Sequence, residues 1–249
     1  MTTAEFLPVH QIRRPIDLRL AGSAGTSLDG SARIALVAAA VSVPPVALLH
    51  LEATGPVEPV SWTISDYVVS LPNGILLFGL TAAALAIGAG ALVRGLGSFA
   101  GTLRLRLVLG MWAVAAVLTA VFPTNERGTP ENLSSQIHLY AGAVAFAALP
   151  VAGWMLYRWQ RRQAGPETWT RVLGVVSIVS GALSTALIVN RFPGEIGMPE
   201  LMLPPGILQR AAGAVEIVLL AVAALAVLRS ANRSRPGRSG HRGQQSIAW

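Results

Sequence analysis

The chain has 249 residues, of which 53% are hydrophobic and only 12% charged, with a mean hydropathy of +0.56, which leaves little material for a water-soluble domain. The absence of cysteine excludes disulfides, thiol chemistry and S-palmitoylation together. All 19 fixed cationic side chains are arginine, and their grouping argues for membrane topology rather than for nucleic-acid binding, despite a pI near 11.3.

Residues 1–30 form a basic N-terminal segment that is too long, polar and proline-interrupted for a cleavable signal peptide. Six apolar stretches follow, at Ile34–Leu51, Leu71–Val93, Leu107–Phe122, Ile137–Tyr157, Val172–Val189 and Ile207–Leu228. A helix rises 1.5 Å per residue, so about 20 apolar residues cross roughly 30 Å of hydrocarbon. The third stretch is short, but Arg104 and Arg106 extend it by snorkelling. The expected fold is therefore all-α and polytopic, with six transmembrane helices in three hairpins over residues 31–229 and an Arg/Ser/Gly-rich disordered tail over 230–249.

Sixteen arginines fall on one side of this topology, in the N-terminal segment, the second and fourth loops and the tail. Only Arg127, Arg191 and Arg210 fall on the other, which also carries Glu52, Glu58, Asp66, Glu126, Glu131, Glu195 and Glu200. The positive-inside rule then puts both termini in the cytoplasm of a plasma-membrane protein. Trp154, Tyr157, Trp159 and Trp169 mark the expected cytoplasmic interface, and Trp62 and Tyr67 the outer one.

Within the first stretch, Pro44-Pro45 remove two backbone donors and predict a kink with carbonyls in need of partners. The outer turns after the third and fifth stretches share a pattern, Phe-Pro, a spacer, then Gly-x-Pro-Glu, at Phe122–Glu131 and Phe192–Glu200. Duplication and convergence explain it equally well. Gly174, Ser177, Gly181 and Ser184 line one stripe of the fifth stretch, a pattern that serves close helix packing before it serves a polar conduit.

Glu216 is the sharpest single feature, about nine residues and so about 14 Å into the last stretch, near mid-bilayer. A charge there costs roughly 2.5–3.5 kcal/mol on insertion scales, so the side chain should face the bundle interior, protonated or paired. Gln209, Gly213 and Glu216 follow a helical spacing that leads from the outer surface towards it. Asp66, Asn125, His138 and Arg210 all belong to the same outer half, and with Glu216 they are the candidate lining of one ligand pocket. Each has a bland alternative, with Ser65 and Asp66 capping a helix and His138 and Arg210 as interfacial residues.

Catalysis finds less support. A Ser-His-Asp hydrolase would draw on Ser65 or Ser134 with His138 and Asp66, yet no G-x-S-x-G elbow is present. His50, His138, Asp66, Glu52 and Glu195 lack the spacing of a metal site. The sequence carries no P-loop, dinucleotide fingerprint or paired intramembrane histidines, so no metal or other cofactor and no catalytic residue is expected.

Ile64-Ser65-Asp66-Tyr67, Phe122-Pro123-Thr124-Asn125, His138 and Gly206-Ile207-Leu208-Gln209-Arg210, set among six spans, resemble a bacterial membrane family catalogued as domain of unknown function 998 (DUF998). The resemblance covers roughly residues 30–230. The family pattern places an aspartate where this chain has Asn125, which keeps the hydrogen-bonding shape and loses the charge. It implies the six-helix architecture and an outer polar cluster, and it brings no activity.

The expected role is thus to bind a lipid, a small amphiphile or a partner membrane protein in that outer pocket. Membrane lipids are the expected partners, with a second copy of the chain or another membrane protein as a further option and no nucleic acid. A proton-coupled transporter using Glu216 is the alternative, and a lipid-modifying hydrolase comes third.

Overall fold

In the computed structural model, residues 18–53, 58, 60–164, 167–192 and 203–233 are described. Seven helices account for most of them, α1 (Leu18–Glu52), α2 (Ile64–Ser70), α3 (Gly74–Leu96), α4 (Leu103–Val121), α5 (Leu133–Ala164), α6 (Thr168–Arg191) and α7 (Pro205–Arg233), with no strand among the described residues. All but α2 are long and apolar enough to cross a bilayer. Large apolar side chains such as Val37, Ile87, Leu107 and Val175 stand exposed around the bundle, the surface expected of helices solvated by lipid.

The boundaries depart from the sequence reading in ways that have local causes. Helix α1 starts well inside the basic segment, and its Arg33 pairs with Asp29 one turn earlier at 3.2 Å. Helix α7 runs on to Arg233, so the tail expected from residue 230 begins within a helix, and residues 234–249 lie outside the described set. The second repeat-like turn, at Pro193–Glu200, lies outside it too. Helix α1 passes through Pro44 and Pro45 without a break. Nearby carbonyls gain side-chain donors, Ser42 Oγ to Ala39 at 2.7 Å and Thr81 Oγ1 to Ser42 at 3.3 Å.

Consecutive spanning helices pack against each other, and α7 closes the bundle against α1, α5 and α6. Small residues make these seams close. A Cβ on Gly88 would sit 3.0 Å from Ala38 Cβ, and one on Gly95 would sit 2.7 Å from Ser31 Cβ, so α1 and α3 run antiparallel nearly backbone to backbone. Gly153 plays the same part where α5 meets Ser177 of α6 and Leu219 of α7. Between α3 and α4, Thr102 Oγ1 donates to the carbonyls of Leu96 and Phe99, each at 2.8 Å, and Arg106 Nε donates to Val93 O at 3.1 Å. These bonds add side-chain donors at the exit of α3, where Leu96 O also accepts from Phe99 N at 3.1 Å. One continuous apolar core, including Leu92, Leu96, Trp112, Leu149, Leu173, Leu219 and Leu220, fills the centre and the arginine-rich end.

The opposite end is built differently. Thr63 caps α2 through a reciprocal box in which Asp66 N donates to Thr63 Oγ1 and Thr63 N donates to the Asp66 carboxylate at 2.7 Å. Leu71 precedes Pro72 and is extended, which ends α2 after two turns. Tyr67 and Val68 bury against Leu49 and Leu77, so α2 lies as a short lid on the ends of α1 and α3. Sequence reading merges α2's exit into the second span at Leu71; in the structure Leu71–Asn73 form a turn and α3 begins at Gly74.

Candidate functional site

His138 is the centre of the α2 end. It lies in the second turn of α5, is buried, and its Nδ1 stands 2.9 Å from both Thr119 O and Phe122 O at the end of α4. A carbonyl oxygen only accepts, so Nδ1 carries the hydrogen and, in the neutral ring, Nε2 is the bare acceptor. Ser65 Oγ of α2 lies 2.9 Å from that Nε2 and donates to it. Gln209 of α7 completes the chain. Its Oε1 accepts from Ile64 N–H, an otherwise partnerless donor in the first turn of α2, and this turns its Nε2 towards Ser65 Oγ at 3.4 Å. Three helices far apart in sequence thus fix one serine hydroxyl, which accepts from an amide and donates to an imidazole.

Two cavities of about 510 Å³ each meet at this point. The first is mixed, with Asp66, Asn125, Arg127, Glu131, Asn190 and Arg191 on its polar part and Leu139, Phe146, Leu187 and Ile188 on its apolar part. The second is apolar, walled by residues such as Val43, Phe78, Leu85, Trp112 and Ile217, with His50, His138, Arg210 and Glu216 as its charged or titratable members. Ser65, His138, Gly142, Phe146 and Gln209 line both.

The five sequence-derived candidates therefore gather at one end of the bundle but divide between two compartments. Asp66 and Asn125 face the mixed cavity, Arg210 and Glu216 the apolar one, and His138 both. Asp66 is tied to Thr63 and, through Oδ2, to Arg127 Nη2 at 3.4 Å. Arg127 also stacks 4.7 Å from the Trp62 ring and donates to Ser61 O at 2.9 Å. Asn125 Nδ2 donates to Pro130 O within its own turn. Arg210 lies 4.7 Å over the Tyr67 ring and donates to Trp62 O at 2.8 Å. Glu216 is 7% exposed, facing inward as its cost in lipid requires; its buried Oε1 makes no hydrogen bond of full geometry among the described residues, and the Trp112 indole is the donor that interacts with its carboxyl group. Gln209, Gly213 and Glu216 do form one stripe, along the wall of the apolar cavity.

A Ser-His-Asp triad does not form, because the Asp66 carboxylate bonds Thr63 and Arg127 whereas main-chain carbonyls hold His138 Nδ1. Ser134 is turned to Pro123 O at 2.9 Å. Among the described residues no three metal-ligating side chains converge, and Glu195 lies outside them. Sequence reading did not single out Arg127, whose partners Ser61 and Asp66 sit more than 60 residues away. The separate helix α2 was visible only as the Thr63-x-x-Asp66 box followed by Pro72.

Six long apolar helices around a packed core, with a polar constellation at one end, define a multi-pass helical membrane protein. The pattern of the family described as protein of unknown function (DUF998) matches residues 36–226, and the chain belongs to that family. No curated protein and no solved structure matches it.

Proposed function

We propose that this protein holds a small amphiphile or lipid at the α2 end of its bundle, polar head in one cavity and apolar chain in the other. The observation that carries this reading is the pairing of two cavities of similar volume, one of mixed polar and apolar lining and one almost wholly apolar, that share the Ser65–His138–Gln209 chain. Ligand sites are mostly apolar concavities with a few placed polar groups, and the second cavity fits that description. Arg127, Arg191 and Asn125 offer donors to a headgroup, and Glu216 Oε1 waits as an acceptor deep in the apolar wall.

The arginine bias supports an orientation with the α2 end facing out of the plasma membrane and both termini in the cytoplasm. The three arginines that break the bias are each engaged at that end, Arg127 with Asp66, Arg191 with Glu131 at 3.9 Å and Arg210 with Trp62 O. Transport is less well supported than binding. One turn beyond Glu216, Leu219 and Leu220 are fully buried in an apolar layer with Leu149, Leu156 and Leu173, which disfavours a continuous polar path even with Ser177 beside Leu219.

The test is mass spectrometry of lipids that co-purify with the detergent-solubilised protein, against an Asp66→Ala, His138→Ala, Glu216→Gln variant of verified fold. Retention by the wild type and loss by the variant is the expected result; equal content in both would refute the pocket. Because the chain has no cysteine, single cysteines placed at Glu126 and Arg162 report sidedness cleanly with an impermeant thiol reagent.

A further inference from the structure

We propose that Ser65 and His138 are a nucleophile–base pair that cleaves a carboxylic ester of an amphiphile held across the two cavities. The inference rests on the binding reading above and adds chemistry to it.

Three independent features lead here. Ser65 Oγ and His138 Nε2 are 2.9 Å apart, inside the range in which imidazole accepts a serine proton as attack begins. The imidazole is held in the required tautomer, with Nδ1–H fixed by two carbonyls at 2.9 Å each, a task that a carboxylate performs in a Ser-His-Asp triad. Lastly, the pair lies where the cavity that carries the charged and amide side chains meets the almost wholly apolar one, as residues lining both. In an ester amphiphile the ester carbonyl occupies that same boundary, between headgroup and chain. Placing the chain against Phe78, Leu85 and Ile217 brings the carbonyl to Ser65.

The reaction balances without a cofactor. Ser65 Oγ forms a bond to the acyl carbon while its proton passes to His138 Nε2. The C–O bond to the alcohol then breaks, and the departing oxygen takes that proton. Water next attacks the acyl carbon, gives its proton to Nε2, and the Ser65 ester bond breaks with the serine oxygen reprotonated. A fatty acid and an alcohol leave. Gln209 Nε2–H, locked in orientation by Ile64 N–H and 3.4 Å from Ser65 Oγ, is the side-chain donor nearest the nucleophile and would meet the carbonyl oxygen, on which negative charge develops.

The experiment uses full-length protein in nanodiscs, treated with an alkyl fluorophosphonate and, separately, with p-nitrophenyl decanoate. Peptide mass spectrometry locates the phosphonyl group, and nitrophenol release gives turnover. The expected result is phosphonylation at Ser65, turnover abolished in Ser65→Ala, and modification of Ser65 slowed about 10²–10⁴-fold in His138→Gln. An unchanged thermal midpoint and monodisperse elution in detergent certify that Ser65→Ala is folded. Wild-type protein that retains amphiphile yet gains no mass at Ser65 would overturn the chemistry and leave binding intact. Labelling at Ser65 that is indifferent to His138→Gln would overturn the pair. Neither amphiphile nor label on the wild type would sink both readings.

Discussion

Beyond Glu216 the bundle is filled with leucine: Leu92, Leu96, Leu149, Leu173, Leu219 and Leu220 are all essentially without exposure, and glycines draw the helices together around them. At the α2 end the same helices splay around two cavities and are joined by side-chain hydrogen bonds, from α2 to α5 and from α2 to α7. Lipid supplies no hydrophobic drive between helices, so the first region coheres by close packing of matched surfaces. The second coheres by pairing polar groups that would be costly to leave alone. Close apolar packing and paired polar groups thereby occupy different depths of one bundle.

Substitutions sort along that division. Leu220→Ala removes buried volume from the packed half and should cost about 2–5 kcal/mol, read as a lowered thermal midpoint in detergent, while the folded fraction keeps its amphiphile. Loss of ligand in that variant would break the division. Gly95→Leu drives a side chain into Ser31 and should cost about 1–3 kcal/mol, with falling yield of monodisperse protein. Thr63→Ala deletes the α2 cap and should cost about 1 kcal/mol. Its larger effect falls on ligand retention, since α2 carries Ser65; a stability loss exceeding that of Leu220→Ala would invert the comparison. Arg127→Ala removes a half-exposed ion pair and should change stability by about 0–1 kcal/mol, with reduced content of anionic amphiphile as the sharper signal.

The architecture was legible because a bilayer imposes it: chain segments must be long, apolar and helical, and arginines must sort by side. Burial of Glu216 was legible for the same reason. The division of the candidates into two compartments was not. Ser65 lies 73 residues from His138 and 144 from Gln209, and helical periodicity carries no information about which helix ends meet. The resemblance motifs did contain Ser65, Asp66, His138, Gln209 and Arg210, and the fold shows what that set has in common: all five stand at the α2 end. Asp66 looked like a partner for His138 by residue type alone, whereas the cap on α2 and Arg127 take its carboxylate.

The amide of Gln209 joins the last helix to the first turn of α2 across 145 positions of sequence. During synthesis, α2 through α6 emerge and insert before that amide exists. Until α7 arrives, Ile64 N–H has no acceptor from it, the serine is oriented from one side only, and the apolar cavity lacks the wall that Gly213, Glu216 and Ile217 provide. The site is therefore the last thing the chain completes. A protein truncated ahead of Pro205 would keep five of its spanning helices and lose Gln209, so the hydrogen-bonded chain at the α2 end depends on the helix made last.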